Sequence, residues 1–296
     1  MKIFITGGSG LLGQYLNIEF SKKHEILTQY NQHEGNCKGF NSIQLSITNI
    51  DKLEEVFAMF KPDVVIHSAA VSNSEKADAL ASNLVYNINV NATKNIALLC
   101  KKYNAKLIYT STDTVYAGYR GSMLKEDAKL IPVSLYAETK LMGEIKIQET
   151  FNNYLILRVP LLIGIGLNHT TNNFHKMFLN LKAGKQVKLF TDQYRTPLAL
   201  HETARIILEL LEKKIEGEII NLASDERVSR FELGEILCDF AGFNKNLLIP
   251  DKMDDAPSSI YKVADVSMSN EKLKSFGVNP VPLRLMIEEA IAFYHE

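Results

Sequence analysis

Cysteine is scarce and poorly placed for cross-linking. Cys37, Cys100 and Cys238 lie far apart, odd in number and without a Cys-x-x-Cys, which excludes a disulfide framework or a zinc site and leaves buried, reduced thiols. Excess charge is missing too. Lysine plus arginine number 33 against 34 for aspartate plus glutamate, a net charge of −1, so no global field draws the chain to nucleic acid or acidic lipid, and affinity for an anion must be local. No uncharged apolar run reaches the ~18 residues of a membrane helix, and the first residues lack a cationic segment followed by an apolar stretch and cleavage site. The expectation is a soluble, cytoplasmic globule with no nucleic-acid, membrane or metal partner. At 296 residues and 46% hydrophobic, it can bury a full core.

What is present begins at residue 2. The apolar run Lys2-Ile3-Phe4-Ile5 leads into Thr6-Gly7-Gly8-Ser9-Gly10-Leu11-Leu12-Gly13, a glycine-rich turn after a first strand, where a doubly wound fold holds a dinucleotide. Gly7 permits the tight turn, Gly10 lets backbone approach a pyrophosphate, and Gly13 lets a helix pack closely on the strand. The N–H groups of that helix start then meet the anion. The spacing Gly-x-x-Gly-x-x-Gly differs by one residue from the standard dinucleotide fingerprint and points to one branch of nucleotide-dependent enzymes.

Further on, β-branched runs alternate with helical patterns, as in parallel strands joined by crossover helices. Strands are expected at Lys2–Thr6, Glu25–Thr28, Ser42–Leu45, Asp63–His67, Lys106–Thr110 and Tyr154–Val159, with helices at Leu11–Lys22, Ile50–Phe60, Asn83–Tyr103 and Ser134–Thr150. Pro62 stops one helix and Asn104 caps another. Beyond Pro160 the spacing predicts a helix at Phe174–Ala183, a strand at Val187–Phe190, a helix, strand and helix at His201–Lys213, Glu218–Leu222 and Arg230–Ala241, and a closing helix at Leu283–Tyr294. Pro250–Pro257 reads as an exposed loop. The fold class is α/β: a Rossmann-type doubly wound parallel sheet over residues 1–160, and a smaller C-terminal substrate-binding lobe over 161–296, from which a segment near 185–222 returns to the first.

Tyr136 and Lys140 stand four apart on a predicted helix, hence on one face. With 12 tyrosines in the chain, roughly one such pair arises by chance, so its weight comes from its position between the strands at 106–110 and 154–159. Reducing a carbonyl by hydride transfer needs a proton donor, and a phenol with ordinary pKa ~10 is poorly poised at neutral pH. A neighbouring ammonium would lower it, and a hydroxyl from Thr112 would orient the carbonyl.

Taken together, TGGSGLLG, His67-Ser68-Ala69-Ala70, Thr110-Ser111-Thr112 and Tyr136/Lys140 resemble the signatures of the extended short-chain dehydrogenase/reductases, in the correct order. Within them the chain resembles the dTDP-4-dehydrorhamnose reductase family through residues 62–70, Glu75-Lys76-Ala77, Ser111–Tyr116, Leu141–Glu144, Asn173-Phe174 and Asp192-Gln193-Tyr194. The resemblance implies a catalytic trio of Thr112, Tyr136 and Lys140. It implies cofactor contacts from Gly7, Ser9, Gly10, Leu11, Leu12, Gly13, Ile47, Ser68, Ala69, Ala70, Asn89, Tyr136, Lys140 and Val159, and nucleotide-sugar contacts from Asp113, Asn173 and Arg195. A homodimer is allowed.

The departures matter as well. The family's Arg-Thr-Ser-Trp after the sixth strand is here Arg158-Val159-Pro160-Leu161, and the chain has no tryptophan, which leaves the sugar open. Arg195 resembles an arginine of nucleotide-sugar epimerases and of the regulatory β subunit of methionine adenosyltransferase; it either clamps a substrate phosphate or makes a surface ion pair. Asp113 is followed by Thr114 where the related 4,6-dehydratases carry a second carboxylate, which argues against dehydration. Thr28-Gln29-Tyr30-Asn31 holds no acid to grip ribose hydroxyls, favouring an exchangeable cofactor and a reductase over an epimerase. It holds no arginine for a 2′-phosphate either, though Lys38 is near in sequence; NADPH is expected, with NADH the alternative. His67 reads as packed or cofactor-adjacent, His169 and His175 as residues beside the substrate lobe or of an exposed loop, and Asp251, Asp254 and Asp255 as a solvated acidic stretch.

Overall fold

A computed structural model describes residues 1–116, 118–255 and 263–292. Its central sheet contains β1 (Lys2–Thr6), β2 (Glu25–Tyr30), β3 (Ser42–Gln44), β4 (Val64–His67), β5 (Lys106–Thr112), β6 (Tyr154–Val159) and β7 (Glu218–Asn221). All seven run parallel, in spatial order 7-6-5-4-1-2-3. The order reverses between β1 and β4, the crevice at which doubly wound sheets bind ligands. The main helices are α1 (Gly13–Ser21), α2 (Ile50–Phe60), α3 (Ala92–Tyr103), α4 (Leu135–Thr150), α5 (Asn173–Lys182), α6 (Leu200–Glu212), α7 (Arg230–Ala241) and α8 (Leu283–Ala292). Among the described residues no helix is long and apolar enough to cross a membrane.

The strand alternation explains the layers. Ile3, Ile5, Ile66, Ile108, Leu155 and Leu157 face one side, with Leu16 and Phe20 of α1 and Ile207 and Leu210 of α6. Phe4, Val65, Leu107, Tyr109 and Ile156 face the other, against Phe57 of α2, Ile96 of α3 and Ile147 of α4. Strands β4 and β5 are buried at every position, as a sheet covered on both faces requires. The first layer continues without a break into Phe174, Phe178, Leu233, Leu237, Met286 and Ile287 of the second half. Helix ends carry their own signals: Lys61 before Pro62 and Asn104 both adopt the left-handed conformation, Ser134 accepts from Ala137 N at 3.2 Å to start α4, and Ser229 with Glu232 forms a capping box on α7. Cys37, Cys100 and Cys238 are buried and free.

Three expected elements change. The helix expected at Asn83–Tyr103 is broken into a turn at Ser82–Tyr86, a π turn at Asn87–Asn91, and α3. Asn89 causes the deviation by bonding outside its own helix, and single π turns of this kind gather at functional sites. The loop expected from Pro250 begins inside a strand, Leu248–Asp251, parallel to Val187–Phe190, and continues as a 3-10 turn at Met253–Asp255; residues 256 and 257 lie outside the described residues. A proline is tolerated in that strand because the two-stranded pair leaves each strand an open edge. The closing helix reaches Ala292, and 293–294 lie outside the described residues.

Candidate active site

The glycine turn after β1 is built of main chain. Gly7 has φ +71°, and a Cβ there would lie 2.7 Å from the backbone of Ala69; a Cβ on Gly13 would lie 2.8 Å from Gly8 Cα. Neither position accepts a side chain without moving backbone. Gly10 N donates to Gly7 O at 2.9 Å, and Gln29 from β2 accepts from Gly7 N at 2.9 Å while donating to Leu45 O at 2.6 Å. The N–H groups of Ser9, Leu11 and Leu12 have no acceptor among the described residues. These open donors ahead of α1 fit the pyrophosphate of a dinucleotide. Opposite them, Ser68 donates to Thr6 O at 2.7 Å, and Ala69 and Ala70 are half-buried and too small to fill the cleft. Ile47 is buried just past β3, and Val159 ends β6 in register with Thr112.

Thr112 ends β5, and its hydroxyl reaches Asp113 Oδ1 at 3.1 Å, Thr114 Oγ1 at 3.0 Å and the phenol of Tyr136. Tyr136 and Lys140 sit one turn apart on α4, Tyr136 half-buried and Lys140 buried. The Lys140 ammonium stands 4.0 Å from the centroid of the Tyr109 ring, a cation–π contact. Burial brings Lys140 down to about 7, against the upward pull of Glu144. The expected lowering of Tyr136 is not found. Burial pushes its phenol up to about 12; the Thr112 hydrogen bond opposes this and Asp113 adds to it. Desolvation outweighs the nearby dipoles, so the isolated protein holds Tyr136 as the protonated acid.

Two neighbours brace this trio. Asn89 accepts from Val71 N at 2.8 Å and donates to Thr139 Oγ1 at 3.0 Å, tying the π turn to α4. His67 is fully buried between Thr6 Oγ1 at 2.7 Å and Thr93 Oγ1 at 2.9 Å; burial and then Lys140 lower it to about 3, so it is a neutral, packed histidine. Below Lys140, Glu144 and Arg158 make a buried bidentate pair at 2.9 and 3.2 Å, continued through Tyr116 to Asn221 of β7, each step 2.8 Å. The pair locks α4 to β6 and β7.

On the other side of Thr112, Asp113 and Arg195 are buried and lie 3.7 Å apart. Arg195 pairs with Asp113 inside the protein and not at the surface. Its Nη1 donates to Tyr194 O at 2.6 Å and its Nη2 to Val263 O at 3.1 Å, so backbone carbonyls take the donors a phosphate would need. Burial raises the Asp113 carboxyl, against the pull of Arg195. The arginine that does face open space is Arg230, which the motifs did not indicate. Its Nε donates to Gln193 Oε1 at 2.9 Å, and it lines a cavity of about 250 Å³ with Asn173, Phe174, Lys176, Lys188, Leu189 and Phe190. Burial and then Arg195 lower it to about 9, still charged at neutral pH. Arg230 reaches this place because Val228–Ser229 pairs antiparallel with Tyr194–Arg195; the Ser229 cap is a sequence signal, but that pairing is not. His175 accepts from Gly166 N at 3.2 Å. No cluster of three or more metal-ligating side chains occurs among the described residues.

Known proteins share this plan. The dTDP-4-dehydrorhamnose reductase of Aggregatibacter actinomycetemcomitans is 28% identical over 94% of this chain and 94% of its own. The methionine adenosyltransferase 2 subunit beta of Pongo abelii is 25% identical over 98% of this chain and 87% of its own. A crystal structure of dTDP-4-dehydrorhamnose reductase from Bacillus anthracis, in complex with NADP, matches the fold with a TM-score of 0.86 at 23% identity, covering 99% of each chain. The family model described as the RmlD substrate binding domain matches residues 1–295, and the chain belongs to that family, a branch of the extended short-chain dehydrogenase/reductases.

Proposed function

We propose that the protein reduces the 4-keto group of a nucleotide-activated deoxysugar with NADPH, NADH being the alternative. One observation carries this reading: the Thr112 hydroxyl lies near enough to the Tyr136 phenol to pull it down against burial, with Lys140 one turn further along α4. A carbonyl oxygen seated against both hydroxyls is oriented by Thr112 and protonated by Tyr136. The phenol keeps its proton at neutral pH because burial raises it; it is poorly poised as an acid toward water and donates only to the more basic alkoxide oxygen that hydride transfer creates. Lys140 and the open N–H groups of Ser9, Leu11 and Leu12 hold the dinucleotide, lined by Gly7, Gly10, Gly13, Ile47, Ser68, Ala69, Ala70 and Val159, with Asn89 bracing the nicotinamide end. When bound, it supplies the hydride.

The substrate's nucleotide occupies the cavity beside Asn173. Its lining contains the cations Lys176, Lys188 and Arg230, no carboxylate, and apolar surface from Phe174, Leu189 and Phe190, a match for a base and a diphosphate. Arg230 takes the phosphate role expected of Arg195, which pairs with Asp113 beside Thr112. The test is a screen of nucleotide-4-keto-sugars for oxidation of NADPH and NADH; no turnover with any member would remove the reductase reading. The likeness to methionine adenosyltransferase 2 subunit beta over nearly the whole chain supports a second reading, a dinucleotide-binding subunit of another enzyme. Co-purification with a synthetase, together with no carbonyl-dependent oxidation, would select it.

A further inference from the structure

Two imidazoles from separate connections meet near the glycine turn, with a lysine from a third acting on one of them. His33 lies just past the end of β2, and His169 lies in the connection between Ile163 and α5. Their rings face one another with centroids 4.8 Å apart and planes inclined at 39°. Lys76, on the short helix Ser74–Asp78 after β4, is close enough to lower the His169 imidazole together with His33, burial being the larger cause. All three side chains are exposed. Like charges gathered at one point are costly unless an anion joins them.

Both histidine-bearing connections are pinned to the residue directly behind the turn. Gln14 donates to Leu167 O at 3.0 Å and Thr170 Oγ1 at 3.3 Å, and its Oε1 accepts from Asn168 Nδ2 at 2.6 Å and Asn36 N at 3.0 Å. A Cβ on Gly35 would stand 3.2 Å from Ser9 Cβ, so this connection runs against the phosphate-binding backbone itself. With a pyrophosphate on that turn, the adenosine ribose falls at the end of β2, where NAD-binding chains place a carboxylate. Here Gln29 turns back to Gly7 and Leu45, and Glu34, the first acid after β2, is hydrogen-bonded to the Tyr30 hydroxyl. Of the charged groups nearby, Lys76 acts on His169, and Glu34, next to His33 in the chain, acts on the Tyr30 hydroxyl.

We propose that His33, His169 and Lys76 seat the 2′-phosphate of NADPH, so that the chain discriminates NADPH from NADH and does so more strongly in acid than in base. This rests on the reading of the chain as a dinucleotide-binding protein. A phosphate monoester has its second pKa ~6, and burial, then His33 and Lys76, hold the His169 imidazole below its usual range, so a dianion seated against the ring pair favours a proton on it. Each proton so linked weakens NADPH up to about tenfold per pH unit above the bound-state pKa.

The experiment is equilibrium titration of the whole protein with NADPH, NADH and 2′,5′-ADP between pH 6 and 9, read by calorimetry. NADPH and 2′,5′-ADP should weaken with rising pH while NADH stays nearly level. His33→Gln and His169→Gln should each weaken NADPH and flatten its pH slope without moving NADH; Lys76→Met should weaken NADPH at every pH and keep the slope. Equal affinities and equal slopes for NADPH and NADH would overturn the phosphate seat and leave dinucleotide binding intact. Binding of neither would overturn both.

Discussion

The two halves of the candidate site are made differently. At the C-terminal ends of the inner strands, backbone N–H groups and residues of two elements, β5 and α4, do the work, and little of it can be altered without moving main chain. Across the cleft, the cavity is lined by long side chains from α5, α7 and the strand at Val187–Phe190. The contrast separates two tasks. Chemistry common to a family needs fixed geometry, whereas substrate choice can be changed one side chain at a time.

That division is open to test. The largest effect should come from Tyr136→Phe: turnover drops by ~10²–10⁴ while dinucleotide affinity, measured by titration, stays unchanged. A variant that still turns over at the parent rate would put the proton donor elsewhere. Next, Glu144→Ala leaves the Arg158 guanidinium buried without its carboxylate, and denaturant melts should show a loss of ~3–5 kcal/mol. A loss within experimental error would mean that α4 is held by packing alone.

The cavity should respond in a different parameter. Arg230→Gln should raise KM for a nucleotide sugar by roughly tenfold or more, as expected for a lost charge-assisted hydrogen bond, with kcat and dinucleotide affinity retained. A fall in kcat at constant KM would erase the proposed boundary between the halves. A final test concerns pH. Lys140 is held at about 7 when folded, mainly by burial, and at ~10.4 when unfolded. The unfolded chain therefore binds the extra proton between those values, and stability of the isolated protein should rise with pH across that window. Lys140→Met should melt higher at pH 7, lose activity, and show a flatter rise; an unchanged slope would mean the ammonium is better solvated than its burial indicates.

How much of this was legible follows the same contrast. The glycine turn and the Tyr136/Lys140 spacing are local, so the sequence carries them whole. Strands β1 and β6 and helix α2 match their expected limits because periodicity and breakers agree there. The π turn at Asn87–Asn91 was hidden, since its cause is Asn89 reaching Val71 and Thr139, residues 18 and 50 positions away. The burial of Arg195 and the place of Arg230 on the cavity were hidden for a like reason. Which of them meets open space depends on carbonyls at 263–264 and on a two-residue strand pair, neither of which has a signature along the chain. Tyr136 was expected to be lowered because adjacency was visible and desolvation was not.

Strand β7 adds one more consequence. It lies against β6, yet residues 160–217 intervene, so a boundary near residue 160 divides tasks and not folding units. During synthesis the edge of β6 stays uncovered until Asn221 has been made, and an uncovered buried-type edge is a template for wrong pairing. A chain ending at residue 160 should accordingly aggregate where the full chain stays dispersed, and light scattering of the two would show whether the second half is, among other things, the first half's own guard against self-association.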